Sequence, residues 1–298
     1  PLYSPIKRIF INLSTFVSNI ILMSNVNNKN ISLEILISTK DRDNLDFLNN
    51  IFVNNNAHSN PILIINQTQN LNFSCPHSDN INLINVNEIG LSKSRNLAIA
   101  NAKADICLLA DDDIVYENNF ESIILNAFNL NPSADIITFK MNDFKGNSFK
   151  DYPIIKKHNK KSLSFVNSVV IAFRRNSIIS NKVFFDENFG LESTFQTADE
   201  YVFLRNALNL NLNIVFHNEV ILSHPVDSSG KDVASDRILF AKGALFYKYY
   251  NILSFLKLIH YLYLMFKFKY ISLGQVINKY LIGVKGIIKY INVNNEKK

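Results

Sequence analysis

Ile106-Cys107-Leu108-Leu109-Ala110-Asp111-Asp112-Asp113-Ile114-Val115-Tyr116 decides how this chain is read. The apolar run reads as a buried strand of the parallel type. Three carboxylates stand at its carboxyl end. Adjacent carboxylates repel, so the cluster is either a solvated acidic turn or is offset by a positive partner. Mg²⁺ or Mn²⁺ offsets it well, because hard cations take oxygen ligands. Such an ion commonly holds a substrate's phosphates too.

Working outward, the chain alternates strands and helices. Residues 31–38 predict a first strand, with the polar Thr39-Lys40-Asp41-Arg42-Asp43 loop at its carboxyl end. Helical spacing follows over Leu45, Phe47, Leu48, Ile51 and Phe52. Residues 61–65 predict a second strand ending in Asn66-Gln67-Thr68, and residues 81–86 a short third one. Helices are expected over residues 91–102 and about 118–130, the second stopped before Pro132. A strand is expected over residues 136–141, then a surface excursion over 142–165, then a strand pair or one long strand over 163–173. Residues 184–190 read as a turn region, 197–210 as a helix and 213–220 as a strand closed by Ser223-His224-Pro225. This order argues for an α/β domain with a mostly parallel sheet. Ligands of such sheets gather at the carboxyl ends of the strands, where the Thr39 loop, Asn66 and Asp111-Asp112-Asp113 all fall.

Two ordered blocks carry a family resemblance. Gly90-Leu-Ser-Lys-Ser-Arg95-Asn96-Leu-Ala-Ile-Ala-Asn101-Ala, followed by Asp105 and the aspartate cluster, resembles the helix and D-x-D motif of family 2 glycosyltransferases of the GT-A fold. Phe185-Asp186-Glu187-Asn188-Phe189-Gly190-Leu191, followed by Ala198-Asp199-Glu200-Tyr-Val-Phe203-Leu204, resembles a second block of the bacterial capsule and lipopolysaccharide transferases. His224-Pro225 falls where that group often carries His-Pro. The likeness covers about residues 31–230.

The resemblance implies a Rossmann-like GT-A domain and an inverting, metal-dependent transfer of a hexosyl or N-acetylhexosaminyl group. The donor would be a nucleotide-diphospho-sugar, of the UDP type, and the acceptor a saccharide or lipid-linked oligosaccharide of a bacterial surface polysaccharide. It makes Asp113 the direct ligand of Mn²⁺ or Mg²⁺, sets Asp111 near ribose and metal, and leaves Asp112 in support. Arg95 would lie at the diphosphate, or as a salt bridge to the same aspartates; the two are compatible. Thr39 and the loop to Arg42 would stand beside base and ribose. Asn66 replaces an aspartate that often reads uracil, and can still pair with a uracil edge. His224 is a metal ligand or diphosphate contact by resemblance, or structural as a lone His after a strand. The catalytic base falls at Glu200 when the acidic pair is aligned by Phe203-Leu204, with Asp199 on the acceptor; the order is Asp-Glu, not Glu-Asp, so Asp199 is the other candidate. Ala198 and Glu192 stand where the family commonly has glycine. These departures keep open a weakly active or inert GT-A-like module that binds nucleotide-sugar or scaffolds.

Composition frames the rest. The chain has 298 residues, 47% of them hydrophobic, and a net charge of +6, which suits one large domain with an appendage. The reading divides it into an N-terminal extension (1–30), the GT-A domain (31–230) and a helical, basic, aromatic-rich C-terminal region (231–298). That last region holds eleven Lys and one Arg against Asp232, Asp236 and Glu296, a balance of 12 − 3 = +9. Its lysines and aromatics suit an interfacial helix on anionic lipid, or else a helical cap packed on the domain. The apolar run is too short to span a bilayer. A nucleic-acid partner is not expected, since the aromatics are mixed with long aliphatics instead of forming a stacking platform. Cys75 and Cys107 are too few for a disulfide scaffold. With no signal peptide evident across the broken apolar stretch 9–23, a cytoplasmic place is expected, peripheral at the inner face of the membrane. His58, His77 and His158 lie in polar segments and need no role.

Overall fold

The structure, a computed structural model, describes residues 31–55, 60–74, 80–226 and 233–296. The N-terminal extension, with its apolar stretch 9–23, and Asn56, His58, Cys75 and His77 lie outside the described residues. From Leu33 onward the chain forms one compact unit.

Among the described residues, eight strands make one sheet: β1 (Leu33–Lys40), β2 (Ile62–Gln67), β3 (Ile81–Val86), β4 (Ile106–Asp111), β5 (Val115–Tyr116), β6 (Ile136–Asp143), β7 (Ile171–Arg174) and β8 (Ile214–His224). Their order is β3-β2-β1-β4-β7-β6-β8-β5. β1 runs parallel to β2 and β4, and β2 to β3. β7 enters antiparallel between β4 and β6, and β8 runs parallel to β6. The central strands β1, β2 and β4 are buried nearly end to end, as strands covered on both faces must be.

Helices follow the strands: α1 (Phe47–Ile51), α2 (Leu91–Asn101), α3 (Phe120–Leu130), α4 (Arg175–Ser180) and α5 (Asp199–Asn209). Three more, α6 (Asp236–Tyr250), α7 (Ser254–Lys267) and α8 (Val276–Asn295), form the C-terminal layer.

The expectation of strand over residues 163–173 is corrected. Two short 3₁₀ turns, Ser162–Phe165 and Ser168–Val170, precede the four-residue β7. Val169 and Val170 are buried for packing, while the Ser168 hydroxyl accepts from Arg95. β-branched side chains at a buried turn read like a strand. His158 also has a place that its polar neighbourhood concealed. It is buried between the Thr138 and Ser162 hydroxyls, and burial lowers its pKa to about 4.

The C-terminal layer packs on the sheet domain. Phe189, Phe195, Ala198 and Val202 share one apolar cluster with Ala241, Ala244 and Leu245 of α6 and Tyr290 of α8. α6 and α8 meet backbone to backbone. A Cβ at Gly243 would lie 1.9 Å from the Gly283 carbonyl oxygen, and one at Gly286 1.9 Å from that of Phe240. α7 packs on α6 and α8 through Leu239, Leu258, Leu262, Met265 and Ile287.

Candidate active site

Strand register assembles the site. Ser38 of β1 lies opposite Asp111 of β4, and Thr39 opposite Asn66 of β2. The carboxyl ends of three parallel strands thus share one edge, where ligands of such sheets bind. A cleft of ≈ 490 Å³ opens there, lined by Ser38, Thr39, Lys40, Gln67, Asp111, Asp112 and Asp113, with Leu191, Glu192 and Gln196 across it.

The three aspartates have separate partners. Asp112 accepts from the Thr39 hydroxyl and from Arg42, whose Nε and Nη2 lie 2.9 and 2.6 Å away. Arg42 also sits over the Phe47 ring at 5.2 Å. Asp112 therefore ties the β4 end to the β1 loop. Asp111 accepts from Arg95 Nη2 at 3.0 Å. Asp113 keeps about half of its side chain in water, with 54% exposed.

His224 comes to Asp113 because β5 follows the aspartates directly and pairs with the end of β8, Val115 opposite Ser223. Its Nε2 lies 3.8 Å from Asp113 Oδ1, and its Nδ1 lies 2.7 Å from the Pro225 carbonyl oxygen. A carbonyl only accepts, so Nδ1 is the donor in this arrangement and Nε2 is the ring nitrogen turned to Asp113. Among the described residues, no group of three His, Cys, Asp or Glu side chains could hold a metal by itself. Asp113 and His224 supply two donors, and Asp111 is turned to Arg95. Two donors fit Mg²⁺ or Mn²⁺, hard cations that leave several positions to substrate phosphates and water.

Arg95 is the buried hub. Its side chain is 2% exposed. It donates to Asp111, to Asp199 and to the Ser168 hydroxyl at 2.8 Å, and it lies 5.5 Å from the Phe185 ring centre. Burial pulls its pKa down, but the Asp111 and Asp199 carboxylates outweigh burial and raise it. Arg95 thus links the carboxyl end of β4 to the acidic pair of α5.

Asn66 is buried and committed. Its amide accepts from the Arg42 backbone N–H at 3.1 Å, returns a bond to the Arg42 carbonyl at 2.9 Å, and donates to Asn85. It shapes the β1 loop from below. Gln67 is held likewise by the Glu88 and Gly90 carbonyls.

The two carboxyls of the acidic pair lie against each other, yet their other partners differ. Asp199 is buried on Arg95. Glu200 lines a second pocket of ≈ 230 Å³ with Ser164, Thr197, Tyr201, Lys242, Tyr249 and Tyr250. Burial, then the Asp199 charge, push its carboxyl up to about 8. Burial lowers the pKa of Lys242, and the Glu200 charge opposes that. Lys242, on α6, escaped sequence reading because its segment matches neither block. Lys40 and Glu192 also escaped; they form an exposed ion pair across the cleft mouth, which helical or strand periodicity could not foretell.

Both positions where the resemblance has glycine are left-handed here, with φ of 59° at Glu192 and 66° at Ala198. The backbone form persists although the glycine is gone. Gly190 remains at φ 105°, and a Cβ there would come within 3.0 Å of the Ser92 hydroxyl oxygen and 3.1 Å of Asp199.

No protein-family model matches the chain. No curated protein matches it either. Solved structures do. Residues 1–349 of S. aureus TarS are 13% identical over 87% of this chain and 81% of that one, with a TM-score of 0.55. The same protein in complex with UDP-GlcNAc gives 13% identity, 86% and 82% coverage and a TM-score of 0.53. Its complex with UDP gives 13%, 85%, 81% and 0.51. This likeness shows the fold: a GT-A-like α/β domain with C-terminal helices.

Proposed function

We propose that this chain is an inverting glycosyltransferase that takes its sugar from a UDP-sugar and gives it to a hydroxyl of a saccharide or lipid-linked acceptor. We further assign the acceptor to bacterial surface polysaccharide synthesis. One observation carries the reading: Asp111, Asp112 and Asp113 line a cleft with Thr39 at the carboxyl edge of the sheet. The crystal structures of S. aureus TarS with UDP and with UDP-GlcNAc have a similar fold and support the choice of donor.

Asp113 and His224 would hold Mn²⁺ or Mg²⁺, which would neutralise charge on the departing diphosphate. Asp112, through Thr39 and Arg42, fixes the loop that flanks the donor's base and ribose. Arg95 sets the angle of Asp111 and keeps Asp199 in place. Glu200 is the general base, and its raised pKa brings it near the working range of such a group. It takes the acceptor hydroxyl's proton while the acceptor oxygen bonds to sugar C1. The bond from C1 to the diphosphate oxygen breaks, and UDP leaves with the electron pair.

A second reading is a binding or scaffolding module with little turnover. It is favoured by the differing partners of the acidic pair, since Glu200 lines a different pocket from the aspartates and Asp199 is held by Arg95.

Calorimetry with UDP tests the donor and metal parts together. Affinity should fall on adding EDTA and in Asp113→Ala. Equal affinity with and without metal would remove the metal bridge, and no heat with any nucleotide would remove the donor assignment.

A further inference from the structure

We propose that the outward sector of α7 is a docking surface for an anionic lipid bilayer. α7 uses Leu258, Leu262 and Met265 to hold α6 and α8. Leu256, Ile259, Tyr263 and Phe266 recur at i, i+3, i+7 and i+10 and therefore share a different stripe. They are 64%, 52%, 57% and 42% exposed. Exposed apolar residues also lead in and out of the helix, with Leu253 at 57% and Phe268 at 63%. So much contiguous apolar surface marks a site of interaction.

Charge selects the occupant. Residues 237–295 contain no Asp or Glu. His260 and Lys267 border the apolar stripe on the same helix, and Lys269 follows it; all three are exposed. A second copy of this face would set lysine against lysine, whereas an anionic lipid surface meets each with an opposite charge. A helix with an apolar stripe edged by lysines and aromatics lies in the interface plane and does not cross it. Accordingly, no described helix is long and apolar enough to span a membrane. The surface shares no residue with the aspartate cleft. The inference therefore stands apart from the donor reading.

The test is sedimentation of the full chain with vesicles of phosphatidylcholine plus phosphatidylglycerol, and of phosphatidylcholine alone. The protein should partition onto the mixed vesicles, less so at high salt, and weakly onto the neutral ones. The variant I259S/F266S removes two exposed side chains and should weaken partition by more than about tenfold. Its circular dichroism and melting should match those of the parent. Replacing Lys267 and Lys269 by Gln should weaken binding to the mixed vesicles only. No sedimentation of the parent, or unchanged sedimentation of I259S/F266S, would overturn the proposal. So would a lipid-free dimer that I259S/F266S dissolves, which would assign the face to a second copy.

Discussion

Replacing Arg95 by Met should cost about 3–5 kcal/mol, the usual loss when one partner of a buried ion pair is removed. The structure supports the large figure. Arg95 is 2% exposed, and it bridges Asp111 on β4 and Asp199 on α5. Met keeps the apolar stem but not the guanidinium that lies beside Phe185, so some lost packing adds to the lost ion pairs. What remains are two carboxylates facing each other with no cation between them. Against a typical total of about 5–15 kcal/mol, such a loss is measurable and need not unfold the chain. Urea denaturation at neutral pH is the assay, with an expected midpoint shift of about 1 M or more. Neutralising the stranded partners should restore part of the loss. R95M/D111N/D199N should therefore be more stable than R95M, the non-additivity expected of one network. If R95M lies within about 1 kcal/mol of the parent, or the two Asn changes add further destabilisation, the hub is energetically idle and the reasoning fails.

Glu200→Gln should change how stability depends on pH. The folded carboxyl is raised to about 8 from 4.5, so its contribution is complete below pH 4.5 and is lost as pH rises through about 8. Thermal melts of E200Q should lack that decline, and its transfer rate should fall by roughly 10²-fold at saturating donor; if Asp199→Asn is the inactive variant instead, Asp199 is the base. Ala198→Gly and Glu192→Gly should each raise stability by about 0.5–1 kcal/mol by calorimetry, because both positions are left-handed. Gly243→Ala should destabilise by roughly 1–3 kcal/mol, since its Cβ meets the Gly283 carbonyl and forces α8 away from α6.

Much of this molecule was legible in its sequence because its core elements obey simple periods. The buried runs of β2 and β4 are apolar up to their carboxyl ends, β1 is interrupted only by Glu34 near its start, and α2 and α5 lie within a residue or two of their expected bounds. The aspartate cluster could be placed at a strand end for the same reason. The partners of each aspartate could not. That Arg42 serves Asp112 while Arg95 serves Asp111 depends on the offset of β1 against β4, which no local pattern encodes. His224 meets Asp113 only through the two-residue β5, too short for any periodicity. The segment 162–170 failed because burial of Val169 and Val170 was achieved with turns. The left-handed turns at Glu192 and Ala198 were concealed by the absence of the glycines that normally signal them.

The most direct test is turnover. UDP-GlcNAc should be incubated with the full chain and Mn²⁺, and UDP release followed by chromatography, with Asp113→Ala alongside. Steady release that depends on metal and is lost in Asp113→Ala is the predicted result. Binding of UDP-GlcNAc without any release, by the parent and the variant alike, would contradict the enzymatic account and leave a nucleotide-sugar-binding module.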